Sequence, residues 1–264
     1  MAEPVADHWH PGAAYLYVLH LDGPALAWEY LRRHPDYRRD WLRRRRHPEA
    51  AQCWDLRLLE DPALDARDAH PAWFPDDDSV VQLYPDADPP PDAQRFAFWH
   101  LPGRKHLVHD GQRLVLAARW AGCCVRLAFA PGLEDGMAYA YAVRASPDPC
   151  QRCRALADEL DKLAVAAAAP AALARPRPST TALLELHTLQ ALDGTLAGAS
   201  QRAVADVLFG AAIVAKDWHA DGALRARVRR LARRGQALMR GGYRRLAQSH
   251  PLGQGRFASS AERP

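Results

Sequence analysis

Apolar residues recur at helical spacing at both ends of the chain. In the first part, Leu26 and Tyr30 lie one helical turn apart, with Ala27 and Leu31 beside them, and Trp28 and arginines occupy neighbouring positions. This period predicts amphipathic helices, because residues that are one turn apart share a face. We therefore predict a helical N-terminal unit over residues 13–75.

Local signals mark where these helices begin and end. Asp22-Gly23-Pro24 is typical of a helix start, since an aspartate side chain caps free amides and proline is tolerated in the first turn. Pro35 predicts an end or a kink, with a restart over 36–42. A further helix is predicted over 49–59.

The apolar period changes in the middle of the chain. Val125, Leu127 and Phe129 alternate with other residues, and Asp110-Gly111 and Asp135-Gly136 are typical of tight turns between strands. The pattern predicts about three or four antiparallel strands with one buried face.

Two segments rich in proline flank this sheet. Residues 76–94 are acidic and contain three consecutive prolines, which favours a linker, although 79–84 is a candidate strand. A helix is predicted over 150–169. Two Arg-Pro pairs in the alanine-rich segment 170–180 predict a second linker.

The helical period returns after that linker. One helix is predicted over 181–192, ended by Asp193-Gly194, and Ser200 caps another that ends at Gly210. A long basic helix is predicted over 223–243, bent or ended by its paired glycines.

The fold class is therefore α+β, with a helical N-terminal unit, a small antiparallel sheet in the middle and a helical C-terminal domain. The predicted division is 13–75, an acidic linker 76–94, sheet plus helix 95–169, a linker 170–180, a DNA-binding domain 181–248 and a tail 249–264.

Arginine is concentrated in the basic helix. Ten arginines and no acidic residue lie between Gly222 and Ala261, whereas ten acidic residues lie between Glu60 and Asp92. One side of the predicted helix carries a narrow apolar seam, which consists of Leu224, Val228, Leu231, Gly235 and Leu238. No carboxylate follows the arginines at i+3 or i+4, so they need an external anion or solvent. Arginine binds phosphate and recognises guanine in the major groove.

With the capped helix before it, this segment predicts a helix-turn-helix-like module that binds double-stranded DNA. The alternative is a solvated basic helix in an arginine-biased composition, paired with the acidic loop 76–78. The predicted DNA contacts are Ser200, Gln201, Arg202, Arg225, Arg227, Arg229, Arg230, Arg233, Arg234, Arg240, Tyr243, Arg244 and Arg245.

Other chemistry is weakly indicated. Cys150 and Cys153 at a helix start suit a redox pair, or with Cys123 and Cys124 a zinc site, but adjacent cysteines of a strand point to opposite faces. Buried free thiols are the alternative. The acidic run 76–78 suits a divalent cation or a solvated turn.

No glycine-rich phosphate loop or nucleophile motif is present in the sequence. We therefore predict no catalytic residue, no metal, no cofactor and no enzymatic activity. The odd number of cysteines, the acidic N-terminus and the lack of a long apolar run favour a cytoplasmic protein without membrane contact.

Aromatic residues are frequent in the N-terminal unit. Trp28, Tyr30, Tyr37 and Trp41 are predicted to form a self-association or partner surface. The alternatives are a platform that stacks on bases and the core of the unit itself.

Two stretches resemble a known family. Residues 28–37, with Trp41 after them, resemble the N-terminal signature of a transcriptional regulator-like domain. Gly198 to Arg202, Leu208-Phe209-Gly210, Trp218 and the segment 224–244 resemble the C-terminal domain that accompanies it. The pairing is similar to FseA/RovC-like proteobacterial transcriptional activators. His34 departs from the family pattern, which has asparagine there.

The resemblance implies a helix-turn-helix variant that binds DNA and activates genes of integrative and conjugative element transfer or type VI secretion. It also implies a homo-oligomer, with a ring-shaped hexamer as the family form, and RNA polymerase or a regulatory antiactivator as partners. Single-domain relatives act as antiactivators. The alternative function is therefore an interaction protein that sequesters another regulator without binding DNA.

Overall fold

The computed structural model describes residues 9–10, 12–46, 49–74, 80–109, 113–120, 123–168, 178–219 and 222–248. The helices are α1 (Gly23–Leu31), α2 (Pro35–Arg43), α3 (Ala50–Cys53), α4 (Pro149–Ala168), α5 (Thr180–Leu196), α6 (Gln201–Phe209), α7 (Ala211–Asp217), α8 (Ala223–Ala237) and α9 (Tyr243–Ala247). The strands are β1 (Val80–Pro85), β2 (Arg104–His109), β3 (Leu114–Trp120), β4 (Cys123–Phe129) and β5 (Tyr139–Ala142). Short 3₁₀ helices span Gly12–His20 and Phe98–His100. The α+β class is confirmed.

The starts of the first two helices follow their capping residues. Asp22 accepts a hydrogen bond from the amide of Ala25 at 2.9 Å, which confirms the predicted start of α1. His34 caps α2 because its Nδ1 atom accepts from the amide of Asp36 at 3.1 Å. Histidine thus serves here as the N-cap, a position that asparagine also favours.

The prediction of a helix over 49–59 is wrong beyond its first turn. Helix α3 ends at Cys53, and Asp55 adopts a positive φ of 56°. Leu56 then forms an antiparallel bridge to Trp73. Local apolar spacing suggested a helix, but the chain reverses at Asp55 so that Leu56 is fully buried.

The five-stranded sheet has the order β2-β3-β4-β1-β5. Neighbours are antiparallel except β1 and β4, which are parallel from Val80↔Arg126 to Leu83↔Phe129. The sheet is therefore mixed rather than antiparallel. Strand β1 confirms the candidate strand within the acidic segment that was otherwise predicted to be a linker. It lies inside the sheet, where Val81 and Leu83 are buried.

The sheet has its own core. Leu116, Val125 and Leu127 are buried on one side of the sheet, and Leu156 and Leu160 of α4 pack against this cluster. Both the alternation along the strands and the apolar face of α4 were visible in the sequence.

Helices from the two ends of the chain share a second core. Trp28 and Leu31 of α1 join Leu189 and Leu192 of α5 and Tyr243 of α9, all fully buried. The N-terminal unit and the C-terminal helices, which the sequence suggested were separate, therefore pack as one body. This arrangement determines what surrounds the predicted DNA-binding helices.

Two C-terminal helix ends differ from the expectation. Helix α5 continues through Asp193-Gly194 to Leu196, because Gly194 is helical and lies against Trp9 and Val204. The chain leaves the helix at Gly198, which has a φ of 78°. The basic helix does bend at the paired glycines, as predicted, since Gly241 has a non-helical φ of 141°.

Candidate nucleic-acid interface

Helices α6 and α7 are joined by one residue, Gly210, and are here called the α6–α7 module. The hydroxyl oxygen of Ser200 accepts a hydrogen bond from the amide of Ala203 at 3.1 Å and begins α6. Gly210 ends α6 and begins α7 with φ 89° and ψ 142°, a backbone conformation that is essentially restricted to glycine. Val204, Ala205 and Val214 turn inward and are buried.

Helix α7 corrects the predicted order of elements. The basic helix was predicted to be the second half of the module, but the seven-residue α7 stands between α6 and α8. Its sequence is a short apolar run without a side-chain cap, so neither periodicity nor capping marked it as a helix. The arginine-rich α8 therefore follows the α6–α7 module and does not directly follow α6.

The outer side of this module is open to solvent. Gln201 and Arg202 are exposed at the start of α6, where amides without intrahelical partners point outward. On α7 the exposed side chains include Ile213, which is 50% exposed, and Lys216. Buried residues hold the module from behind, so the exposed ends of both helices are available to a partner.

The arginines of α8 divide into two sides of the helix. The predicted seam is confirmed, because Val228, Leu231 and Gly235 are buried against α5. On one side of the seam, Arg229 and Arg233 lie one turn apart and are exposed. Within the part of the chain that the structure describes, neither forms an ion pair.

On the other side of the seam, two arginines contact the protein. Arg227 lies over the ring of Phe209, 4.8 Å from its centroid, and Arg234 pairs with Glu185 of α5. Glu185 is 2% exposed and also accepts a hydrogen bond from Tyr30 at 2.8 Å. A carboxylate from a distant helix thus neutralises an arginine that had no acidic neighbour in sequence.

The remaining predicted DNA contacts differ in their exposure and in their partners within the protein. Tyr243 is fully buried, so its side chain is a core residue and not a DNA contact. Arg244 donates to Asp55 at 2.8 Å and to the carbonyl of Cys53 at 2.7 Å. Arg240 and Arg245 are exposed. Arg230 is exposed as well, and Arg225 is half-buried.

The structure places most of the predicted aromatic surface in the interior. Trp28, Tyr30 and Tyr37 are all 0% exposed, so they are core residues and present no surface to a partner. The apolar spacing that suggested a surface is equally that of a buried helix face. Trp41 is half-buried, with the guanidinium of Arg44 stacked 3.7 Å from its ring centroid.

A buried ion pair links α5 to the N-terminal region. Arg33, in the turn after α1, makes a bidentate contact with Asp193 of α5, at 2.5 and 2.8 Å, and Tyr15 donates to the same carboxylate at 2.6 Å. Burial raises the pKa of Asp193, but the charge and hydrogen bonds of Arg33 outweigh it and lower the pKa overall. The carboxylate is therefore held ionised.

The cysteines do not form a metal centre in the described structure. Cys150 and Cys153 are exposed free thiols, and Cys123 and Cys124 are half-buried, so the expectation of buried thiols holds for neither pair. Among the described residues no group of three or more histidine, cysteine or acidic side chains is arranged to hold a metal. The acidic run 76–78 lies outside the described residues. No described helix is both long and apolar enough to cross a membrane.

Comparisons with protein families agree with this architecture. Residues 8–67 match a proteobacterial transcriptional regulator-like domain. Residues 126–248 match the DNA-binding domain of a type VI secretion system (T6SS) transcription factor of the RovC type, a match that begins within β4 and includes α4. Residues 78–125 match a domain of unknown function, DUF7011. No protein of curated function matches the chain. The resemblance seen in the sequence is thereby confirmed, and the two matches indicate a transcriptional regulator with a DNA-binding domain.

Proposed function

We propose that the chain binds specific sequences in double-stranded DNA through α6 and α7 and contacts the phosphate backbone through α8. The observation that carries the proposal is the solvent-exposed α6–α7 module beside Arg229 and Arg233, which form no ion pair among the described residues. In a helix-turn-helix the second helix lies in the major groove and the first crosses the backbone. Here these roles fall to α7 and α6.

The chemistry of the two helices suits these roles. The free amides and the side chains of Gln201 and Arg202 at the start of α6 can meet a phosphate. On α7, small alanines permit close approach to base edges, and Ile213 can contact a thymine methyl group. Lys216 adds a cation at the far end of the same helix.

The arginines supply affinity that does not depend on sequence. Arg229, Arg233 and Arg240 would neutralise phosphates, and the counterions released would make binding weaken as salt rises. Arg234 and Arg244 already have carboxylate partners within the protein, so we assign them to the fold and not to DNA. The proposed contacts are therefore fewer than the arginine count suggests.

The regulatory role follows from the family. The matched DNA-binding domain is that of a T6SS transcription factor, and on this basis we propose activation of secretion or mobile-element transfer genes. Assembly into a homo-oligomer and contact with RNA polymerase or an antiactivator belong to the same proposal. Light scattering of the purified chain with and without DNA tests the assembly.

DNA binding is tested by fluorescence anisotropy across a salt series. The probe is a labelled random-sequence duplex of about 30 base pairs, long enough to cover a full protein footprint. For Arg229→Ala/Arg233→Ala we expect the slope of log affinity against log salt to fall by up to about 1.8, at about 0.9 for each phosphate contact. The matched control is Arg95→Ala/Arg104→Ala, which removes two exposed arginines near or in the sheet.

The control variant should retain the wild-type slope. An equal fall in both variants would show a general charge effect and contradict the assignment to α8. A wild-type protein that does not bind the duplex at low salt, but forms a stable complex with another regulator, would instead support the sequestering function.

A further inference from the structure

A second basic surface lies at the end of α2, in the regulator-like domain. Four consecutive arginines, Arg43 to Arg46, are exposed there, and the neighbouring Leu42 is 79% exposed. We propose that Arg43, Arg45 and Arg46, here called the α2 basic end, bind phosphates of the same duplex that α6 to α8 engage. This inference rests on the proposed function and extends the DNA footprint to the other domain.

Helix α2 is attached to a short loop through Trp54. The indole Nε1 of Trp54 donates to Asp40 at 2.9 Å, and its ring lies 4.9 Å from the ring of His34, the N-cap of α2. It also meets the ring of Tyr37 edge-on at 5.6 Å. Trp54 therefore lies along α2 from its cap to its second turn and fixes the direction of the helix.

The same loop is bound to the end of the DNA-binding domain. Arg244 of α9 donates to Asp55 and to the carbonyl of Cys53, on either side of Trp54. The hydroxyl of Tyr243 donates to the carbonyl of Trp54 at 3.5 Å. Residues 53–55 thus join α2 and α9 directly, and they fix the position of α2 relative to the end of the C-terminal domain.

The pKa of His34 is affected by arginines of the C-terminal domain, which indicates that they lie near the start of α2. Burial lowers the pKa of His34, Asp36 raises it, and the positive charges of Arg240 and Arg244 lower it further. The arginines beyond α8 therefore lie close to the start of α2. Since α2 has nine residues, its basic end lies about 13 Å farther along, about four base pairs of duplex at 3.4 Å each.

The aspartates on and beside α2 already have hydrogen-bond or ion-pair partners. Asp36 pairs with Arg39, and Asp40 and Asp55 are occupied by Trp54 and Arg244. Arg44 is held on the ring and carbonyl of Trp41. Among the described residues, Arg43, Arg45 and Arg46 form no ion pair. Neighbouring cations repel one another, so a polyanion that spans them is the ligand that this surface fits.

The test compares Arg43→Ala/Arg45→Ala/Arg46→Ala with a control that removes the same charge elsewhere, Arg95→Ala/Arg104→Ala/Arg154→Ala. The probe is again the random-sequence duplex of about 30 base pairs. We expect the salt slope of the α2 variant to fall by about one to three units, at about 0.9 for each lost contact, and that of the control to remain at the wild-type value.

A photo-crosslinking amino acid at position 42 tests separately whether DNA lies near the α2 basic end. Leu42 is exposed beside the basic end, and Trp99, which is 78% exposed at the sheet, provides the control position. We expect a DNA crosslink from position 42 and none from position 99. Light scattering of each variant shows whether its assembly state has changed.

The outcomes separate this inference from the proposed function. If the α8 variant loses slope while the α2 variant keeps it and position 42 does not crosslink, the α2 inference is overturned and the function stands. A slope loss that accompanies a changed assembly state, without a crosslink, also overturns it, because the basic end would then act between protein copies. A wild-type chain that fails to bind the duplex overturns both.

Discussion

Replacing Asp193 with alanine tests whether the two ends of the chain form one body. Asp193 lies on α5 of the DNA-binding domain, and its partner Arg33 lies in the turn after α1 of the regulator-like domain. Their side chains are 15% and 10% exposed. The substitution leaves the Arg33 guanidinium buried with one remaining carboxylate, Glu29, at 2.6 Å, and leaves the Tyr15 hydroxyl without its acceptor.

The magnitude follows from that geometry. Removing one partner of a buried ion pair costs about 3–5 kcal/mol, and the remaining contact with Glu29 favours the lower end, about 3 kcal/mol. A change of 1 kcal/mol shifts the Tm of a chain of this size by roughly 2–4 °C, so we expect a fall of about 6–12 °C. The exposed pair of Asp36 and Arg39 provides the matched control, and Asp36→Ala should cost about 1 kcal/mol or less.

The assay is thermal and urea unfolding of the three proteins at neutral pH and during acid titration. The pKa of Asp193 is lower in the folded chain than in the unfolded one, so the pair contributes its full stability above the unfolded pKa of about 3.9. As the pH falls through the lowered pKa, that contribution is lost, and the difference between wild type and Asp193→Ala should shrink below about pH 4. Two unfolding transitions, or a Tm within about 2 °C of the wild-type value, would refute a shared body held by this pair.

Two further substitutions probe the helix-turn-helix and its surroundings. Gly210→Ala places a side chain at φ 89° and ψ 142°, so we expect a loss of about 1–3 kcal/mol in urea unfolding together with weaker DNA binding. The control is Gly12→Ala, where φ is not positive and no atom lies within 4 Å of an added methyl group, and an equal loss there would contradict the argument. Tyr243→Phe should leave DNA affinity within about twofold, because that ring is buried and its single hydrogen bond is long at 3.5 Å. A large loss of affinity in a stable Tyr243→Phe protein would restore this tyrosine as a DNA contact.

The sequence was most informative where the signal is local. Asp22 and Ser200 cap the helices that they were predicted to cap, because the capping hydrogen bond joins residues only three positions apart. The alternation of Val125 and Leu127 predicted a strand for the same reason. Such features depend on neighbours along the chain and not on the rest of the fold.

The sequence was least informative where partners are distant. Strand β1 pairs in parallel with a strand more than forty residues later, as the register Val80↔Arg126 shows, and no turn signal accompanies such a pairing. Helix α7 is missed because one positive-φ glycine replaces a loop between two helices. The parallel pairing of β1 and the formation of α7 both depend on tertiary contacts, which local sequence patterns do not show.

The same distinction decides which arginines remain available for DNA. From spacing alone, every arginine after Leu224 lacks an acidic neighbour and is an equal candidate. The fold supplies Glu185 to Arg234 and Asp55 to Arg244, whereas Arg229 and Arg233 remain exposed on the other side of the seam. A phosphate competes poorly with a carboxylate that is already in contact. The salt dependence of DNA binding should therefore reflect Arg229 and Arg233 and not Arg234 and Arg244.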